Sequence, residues 1–210
     1  MILNDREKKK QLKRLKRKIK RIKWFPSYQS IDELGIRGRR NEYKRYNFLD
    51  FALCKGKVVA DYGCNLGQAC IRAARAGAKR VIGIDSQIDT IEAANDIKDI
   101  LGLENVNYCI IDFNEEDFRK QIMDIFQNST PDISFFLSVY RTKELKDRNG
   151  LFQFIIDNTR EIIFFEGHSK RSVDTVEYYT DIFCKFHLNA QFLGYSQNDT
   201  RPFFIIRLSK

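Results

Sequence analysis

Residues 57–85, KVVADYGCNLGQACIRAARAGAKRVIGID, decide the fold of this chain. Residues 58–60 form a short apolar run of the kind that makes a buried parallel strand, and a turn containing two glycines follows it. The alanine-rich residues 68–76 predict a helix, and the apolar residues 80–84 predict a second strand. Strand, turn, helix and strand in this order make half of a nucleotide-binding βαβ unit.

The turn carries features that suit a nucleotide-like cofactor. Gly63 and Gly67 allow the backbone to turn tightly and to come close to a ligand. Asp85 ends the second strand 22 residues after Gly63, an offset at which a carboxylate can accept hydrogen bonds from ribose hydroxyls. A nicotinamide dinucleotide site requires G-x-G-x-x-G, but Asn65 and Gln68 stand at its second and third glycine positions. The spacing therefore disfavours a dinucleotide.

Residues 61–67, which read D-x-G-C-N-x-G after a strand, resemble motif I of the class I S-adenosylmethionine-dependent methyltransferases, and Asp85 resembles its acidic partner. The resemblance runs from about residue 56 to the C-terminus. It implies an α/β fold with a doubly wound, mostly parallel seven-stranded sheet, and S-adenosyl-L-methionine as cofactor. This ligand has no phosphate, so the loop need not hold a pyrophosphate. An ordinary glycine turn in an α/β protein is the alternative.

The resemblance also implies where the cofactor binds. Asp112, after the third strand, would accept the adenine amino group while Phe113 packs on the ring; the alternative for Asp112 is a helix N-cap. Arg40 or Arg39, in the segment before the first strand, would pair with the methionine carboxylate, which a guanidinium grips through two hydrogen bonds. Surface arginines in a loop are the alternative there. The predicted cofactor-binding set is Arg40, Tyr46, Asp61, Gly63, Cys64, Asn65, Gly67, Asp85, Ser86, Asp112, Phe113 and Ser138.

The candidate catalytic residues follow the fourth and fifth predicted strands. Methyl transfer to a hydroxyl needs orientation and a base, and His168 is a candidate for that base because an unperturbed imidazole titrates near neutrality. Glu166 could orient that imidazole, contact the substrate or simply cap a loop, and Tyr140 ends the fourth strand. Amino-methylating relatives commonly carry D/N-P-P-Y/F there, whereas this chain reads LSVYR at residues 137–141, which argues against adenine or glutamine N-methylation. Substrate hydrogen bonding or a structural turn remain alternatives for His168.

The remaining chain alternates helices and strands, as a doubly wound sheet requires. A helix is predicted before the first strand, over residues 42–53. The helix predicted at 88–101 has Ile88 on its apolar face, and the helix predicted at 173–188 contains His187 in a packing role. The segments after Asp85 are a helix at 88–101, strands at 106–111, 131–140 and 162–165, a helix at 173–188, and a closing antiparallel pair at 190–195 and 202–208.

The net charge of +9 comes entirely from the N-terminus. Residues 1–23 contain twelve Lys or Arg and two acidic residues, so they carry +10 and the remaining 187 residues carry −1. Leu12, Leu15, Ile19 and Ile22 recur at helical spacing, which predicts a basic helix with one apolar stripe. Pro26 ends the pattern.

This basic segment, residues 6–25, has several interpretations. On an anionic membrane, its apolar stripe and Trp24 would enter the interface, and each nearby Lys or Arg would contribute about 1 kcal/mol. On nucleic acid, the same charges would release counterions from phosphates. A coiled coil and a solvated, partly disordered tail are further alternatives. The membrane is slightly favoured, because the rest of the chain has no basic excess with which to follow a phosphate backbone.

The predicted organisation has three parts: a basic arm at 1–26, bridging helices that cap the cofactor site at 27–56, and the catalytic domain at 57–210. The five cysteines are odd in number and form no C-x-x-C pair, so neither a disulfide framework nor a metal site is indicated. No run of 18 apolar residues exists and the N-terminus is charged, so a cytoplasmic protein is expected, with the option of peripheral attachment to a membrane.

The sequence therefore predicts an S-adenosylmethionine-dependent methyltransferase that acts on a hydroxyl of a glycan or another small molecule. One alternative is an RNA methyltransferase that holds its substrate with the basic arm. The other is a non-catalytic cofactor-binding scaffold whose arm recruits a partner.

Overall fold

The computed structural model describes residues 5–22, 29–38, 43–168, 173–196 and 200–209. Their strands form one seven-stranded sheet in the order β3-β2-β1-β4-β5-β7-β6, in which only β7 runs antiparallel to its neighbours. This confirms the predicted fold class. The strands are β1 (Val58–Tyr62), β2 (Arg80–Asp85), β3 (Val106–Ile110), β4 (Ile133–Leu137), β5 (Ile162–Glu166), β6 (Ala190–Ser196) and β7 (Arg201–Arg207).

Helices cover both faces of the sheet. Apolar side chains of α1, α3 and α4 pack on one face, and those of α5, α6 and α7 pack on the other, where eight phenylalanines are buried. Because both faces are covered, the central strands β4 and β5 are buried along their whole length, as parallel strands usually are. The helices are α1 (Asp5–Ile19), α2 (Tyr43–Tyr46), α3 (Gln68–Arg75), α4 (Ile88–Leu101), α5 (Phe118–Ile125), α6 (Arg148–Asp157) and α7 (Val176–Lys185).

The basic arm folds onto the domain. Leu15 and Ile19 of α1 are buried, and Lys18 binds Glu92 and Asp96 of α4 at 3.1 and 3.0 Å. The apolar stripe that was predicted to enter a membrane interface thus forms part of this protein's own core. Trp24 lies outside the described residues.

Three local predictions were wrong. The helix predicted over 42–53 is the short α2 followed by a 3-10 turn at Phe51–Cys54, for which the Asp50 side chain accepts a hydrogen bond from the amide of Ala52. The helix α7 ends at Lys185, and His187 lies beyond it, exposed and with φ +54°. Ile88 begins α4 but stays 59% exposed.

Candidate active site

A cavity of about 530 Å³ opens at the carboxyl ends of the parallel strands. This volume falls in the range of roughly 300–1,000 Å³ that is typical of small-molecule sites. The loops after β1, β2, β3 and β4 line it, and Gln29 and Arg45 from the segment before β1 close one side. The site therefore lies where the strand order reverses, at the usual ligand position of an open α/β sheet.

The loop after β1 is held close to the sheet. The amide of Gly63 donates to the carbonyl of Ile84 at 2.7 Å, and a Cβ at Gly63, where φ is +79°, would lie 2.4 Å from Cγ2 of Val139. Gln29 fastens the other end of the loop, since its Nε2 donates to the carbonyl of Cys64 at 3.0 Å and its Oε1 accepts from the amide of Gln68 at 3.1 Å. The loop backbone is thus fixed in place beside the cavity.

Asp85 and Asn65 form one end of a polar wall. The carboxylate of Asp85 accepts hydrogen bonds from the amide of Asn65 at 3.0 Å and from that of Gln87 at 3.1 Å. Burial raises the pKa of Asp85, and these backbone bonds oppose the rise. Oδ1 of Asn65 is buried and has no hydrogen-bond partner among the described residues. A ligand with a donor group would satisfy this oxygen. Ser86 lines the same wall.

Asp112 and Phe113 continue this wall beyond β3. Oδ1 of Asp112 accepts hydrogen bonds from the amide and the side-chain nitrogen of Asn114, both at 2.9 Å. The ring of Phe113 packs against Tyr62 and Phe118, with centroids 6.2 Å apart in each case. Both residues line the cavity, and together they offer an acceptor beside an apolar surface, which suits a flat heterocycle carrying an amino group.

Asp61 lies at the centre of the cavity wall and is only 2% exposed. Its Oδ2 accepts a hydrogen bond from Sγ of Cys70 at 3.3 Å. Burial raises its pKa to about 7, although the Cys70 contact and the positive charge of Arg45 act in the opposite direction. A cationic ligand in the cavity would favour the ionised carboxylate.

A charged cluster lies buried between the cavity and β5. Arg45 binds the carboxylate of Glu166 through Nε at 2.9 Å and Nη2 at 2.5 Å, and Nη1 of Arg201 lies 3.6 Å from the same carboxylate. Ser138 and Ser196 donate further hydrogen bonds to Glu166. These contacts outweigh burial and lower the pKa of Glu166 to about 2. Glu166 is therefore an anion that fixes Arg45 and Arg201 at the cavity wall.

The far end of the cavity contains His168, whose backbone is fixed by a chain of hydrogen bonds. Its amide donates to Oη of Tyr179 at 3.0 Å, and that hydroxyl donates to Oδ1 of Asp174 at 2.8 Å. Nε of Arg141 lies 3.4 Å from the same oxygen. His168, Arg141 and Asp174 all line the cavity, so this end presents an imidazole among charged hydrogen-bonding groups.

A family model described as a methyltransferase domain matches residues 53–184. The chain belongs to this methyltransferase-domain family. The chain is similar to the ribosomal protein L11 methyltransferase of Tolumonas auensis, with 47% identity over 49 residues. This match covers 23% of the present chain and 17% of the relative. The chain spans less than a fifth of the curated relatives that it matches.

Solved structures share the fold of this methyltransferase domain. The N-terminal domain of EvdMO1, crystallised in the presence of SAH and D-fucose, superposes with a TM-score of 0.68 at 13% identity, covering 99% of this chain and 98% of that domain. WbdD superposes with a TM-score of 0.65 at 16% identity, and the superposition covers 91% of this chain and 46% of the WbdD chain. The structural likeness at these identities concerns the class I fold.

The methyltransferase cavity brings most of the predicted cofactor residues together. Several predicted residues lie elsewhere: Cys64 of the loop is buried, and Gly67, at φ +80°, is the N-cap of α3 and accepts a hydrogen bond from Tyr108. The ring of Tyr46 packs beneath the guanidinium of Arg72 at 4.3 Å. Arg40 lies outside the described residues. The residues that do line the cavity are Asp61, Gly63, Asn65, Asp85, Ser86, Asp112, Phe113 and Ser138.

Two of the three predicted catalytic residues do not line the cavity. Tyr140 packs among phenylalanines of the core, donates its hydroxyl proton to Oδ1 of Asn149 at 2.5 Å, and has its pKa raised to about 12, mainly by burial. It does not reach the cavity. Glu166 is fully buried and is paired with Arg45 and Arg201. Only His168 of the predicted catalytic set lines the cavity.

Arg45 and Gln29 line the cavity but were missed from the sequence. Arg45 is one of several arginines in the segment before β1, and its partner Glu166 is 121 residues away in the chain. Nothing local distinguishes it from Arg39 or Arg40. Across the described residues, no group of three or more His, Cys, Asp or Glu side chains is placed to hold a metal ion.

Proposed function

We propose that this chain transfers a methyl group from S-adenosylmethionine to a hydroxyl oxygen of a sugar or a similar small polyhydroxylated acceptor. The observation that carries the proposal is that His168 shares one cavity with Asp85, Asp112 and Asp61. A potential base and a potential cofactor wall thus face the same space. The family assignment supports the methyltransferase activity.

The cofactor wall has the donor and acceptor groups that S-adenosylmethionine requires. Asp85 would accept from the ribose hydroxyls, and Asp112 with Phe113 would hold the adenine. Asn65 and Asp61 would receive the positively charged methionine end, which fits the buried acceptor oxygen of Asn65. The bound cofactor supplies an electrophilic methyl group on a sulfonium.

The opposite wall suits a hydroxylated acceptor. The imidazole of His168 would take the proton of the attacking hydroxyl, the general-base role that histidine most often has in enzymes. Arg141 and Asp174 would orient neighbouring hydroxyls through hydrogen bonds. The loop after β4 lacks the planar-nitrogen clamp of amino-methylating relatives, and the structural neighbour crystallised with D-fucose supports a sugar acceptor.

The test combines cofactor binding with turnover. We expect calorimetry to detect saturable binding of S-adenosylmethionine and S-adenosylhomocysteine, and transfer of a labelled methyl group to members of a panel of monosaccharides and glycans. His168→Ala should lower turnover by roughly 10²- to 10⁴-fold while leaving the cofactor dissociation constant unchanged. His187→Ala, on the exposed residue after α7, is the matched control and should behave as the wild type.

Three outcomes would contradict the proposal. Unchanged turnover in His168→Ala would remove this residue from catalysis. Methylation of RNA in place of sugars would assign the alternative substrate. Cofactor binding without transfer to any acceptor in the panel would favour a scaffold.

A further inference from the structure

The outer face of α1 is a concentrated positive surface. Between residues 6 and 21, nine lysines and arginines are exposed, and none of them pairs with an acidic side chain in the described part of the chain. Five cations, Lys9, Lys13, Lys16, Arg17 and Lys20, line a shallow groove beside Leu12. Because the apolar stripe of this helix is buried, these cations lie on its exposed faces.

The basic helix leads to the cavity mouth. Lys18 binds Glu92 on the second turn of α4, and Ile22, just beyond α1, is itself one of the residues that line the cavity. The C-terminal end of α1 therefore lies beside the beginning of α4. A partner held by the positive face would lie next to the cavity.

Two exposed isoleucines lie at the same end of the molecule. Ile88, at the start of α4, is 59% exposed, and Ile110, at the end of the edge strand β3, is 48% exposed. Ile110 is the register partner of Asp85, and Ile88 follows Asp85 by three residues. Both side chains therefore flank a residue of the cavity wall. Ile88 also lies one helical turn before Glu92, the residue that binds the arm.

We propose that the exposed face of α1, together with Ile88 and Ile110, is a docking surface for a bilayer of anionic phospholipid. The cations would contact the headgroups, and the isoleucines would enter the interface beside the cavity mouth. A phosphate backbone would be attracted by the same cations but offers no apolar layer for the isoleucines. The chain after residue 23 carries no basic excess, so a nucleic acid would find no positive path beyond the arm. This inference does not depend on which acceptor the enzyme methylates.

The charge component is tested by co-sedimentation of the full chain with vesicles of phosphatidylglycerol and phosphatidylcholine, compared with vesicles of phosphatidylcholine alone. We expect binding only to the anionic vesicles. The triple variant Lys9→Gln, Lys13→Gln and Lys20→Gln should bind about 100-fold more weakly, because each exposed cation near the surface strengthens binding about fivefold.

The matched control is a second triple variant with the same loss of charge, Lys55→Gln, Lys79→Gln and Lys185→Gln. These exposed lysines lie at the amino ends of β1 and β2 and at the end of α7, on the edge of the sheet opposite the cavity. The control should bind vesicles as the wild type does. The dissociation constant for S-adenosylmethionine should be the same in both triple variants, which separates loss of docking from loss of the cofactor site.

The apolar component distinguishes lipid from nucleic acid. Replacing both Ile88 and Ile110 with Gln should weaken vesicle binding roughly tenfold or more. The variant with Leu at both positions keeps the apolar side chains and should bind vesicles as the wild type does. Neither pair should alter binding to RNA measured by fluorescence anisotropy. Absence of binding to anionic vesicles, equal binding by the arm triple variant, or RNA binding without vesicle binding would each overturn the proposal.

Discussion

The buried carboxylate of Glu166 gives the most direct test of the site's construction. Burial alone would raise its pKa, but the charges of Arg45 and Arg201 and the hydrogen bond from Ser138 lower the pKa from 4.5 to about 2. A pKa lowered by this much means that the ionised group stabilises the folded state by about 3 kcal/mol at neutral pH. Removal of one partner from a buried ion pair typically costs about 3–5 kcal/mol, so the two arguments agree.

Glu166→Gln should therefore lower the free energy of unfolding by about 3–5 kcal/mol at pH 7, which corresponds to a fall in Tm of roughly 6–20 °C for a chain of this size. The assay is urea unfolding followed by circular dichroism, with calorimetry for Tm. Glu161→Gln is the matched control: it removes a half-exposed partner of Lys57, and solvent screens that pair, so little change is expected.

The pH dependence supplies the refutation. Because the folded-state pKa of Glu166 is lower than the unfolded one, its contribution is fully present above the unfolded value and is lost as the pH falls through the folded value. The difference between wild type and Glu166→Gln should be constant above about pH 5 and shrink toward about pH 2. The account of this cluster would be refuted if the free energies of unfolding of wild type and Glu166→Gln differed by less than about 1 kcal/mol at neutral pH. It would also be refuted if the difference did not shrink as the pH falls toward about 2.

Three further predictions follow from other contacts. Since burial raises the pKa of Asp61 to about 7, calorimetric affinity for the cationic cofactor should rise severalfold from about pH 6 to about pH 8 as the carboxylate ionises, and Asp61→Asn should abolish this dependence. Gly67→Ala, whose Cβ would lie 2.0 Å from Oη of Tyr108, should lower the free energy of unfolding by about 2–4 kcal/mol, whereas Gly102→Ala, also at positive φ but in open space, should cost only about 1 kcal/mol. Leu15→Ala should cost about 2–5 kcal/mol in urea unfolding, because Leu15 is buried; no change would mean that the arm is a loose tail.

The part of the cavity that we propose to hold the cofactor was largely predictable because it is built from residues close together in sequence. The loop at residues 61–67 follows β1 directly, and Asp85 and Asp112 each come at or just after the end of a strand. Parallel strands bring such ends to one edge of the sheet. The resemblance of this loop to motif I, together with the strand pattern, was therefore enough to place most of these residues in one cavity.

The part of the cavity that we propose to hold the acceptor was less predictable because its contacts join distant parts of the chain. Glu166 and Arg45 are 121 residues apart, and Glu166 and Ser138 are 28 apart. A carboxylate two residues before His168 suggests a catalytic pair, but the side chain of Glu166 is paired with Arg45 and Arg201. His168, beyond the end of β5, lines the cavity. Tyr140 was difficult to place for a similar reason: its neighbours Val139 and Arg141 line the cavity, whereas its own ring lies in the core.

The sequence pattern of the arm correctly predicts an amphipathic helix but does not identify the surface against which its apolar stripe packs. The spacing of Leu15, Ile19 and Ile22 predicts an amphipathic helix, and α1 has that stripe, but periodicity does not say which apolar surface will cover it. The stripe packs on α4, so it is not available to insert into lipid while the arm is folded. Recognition by the arm must then rest on its exposed cations, and any apolar contribution must come from residues outside the stripe. Ile88 and Ile110 meet that requirement, because they are exposed and lie beside the cavity to which the arm leads.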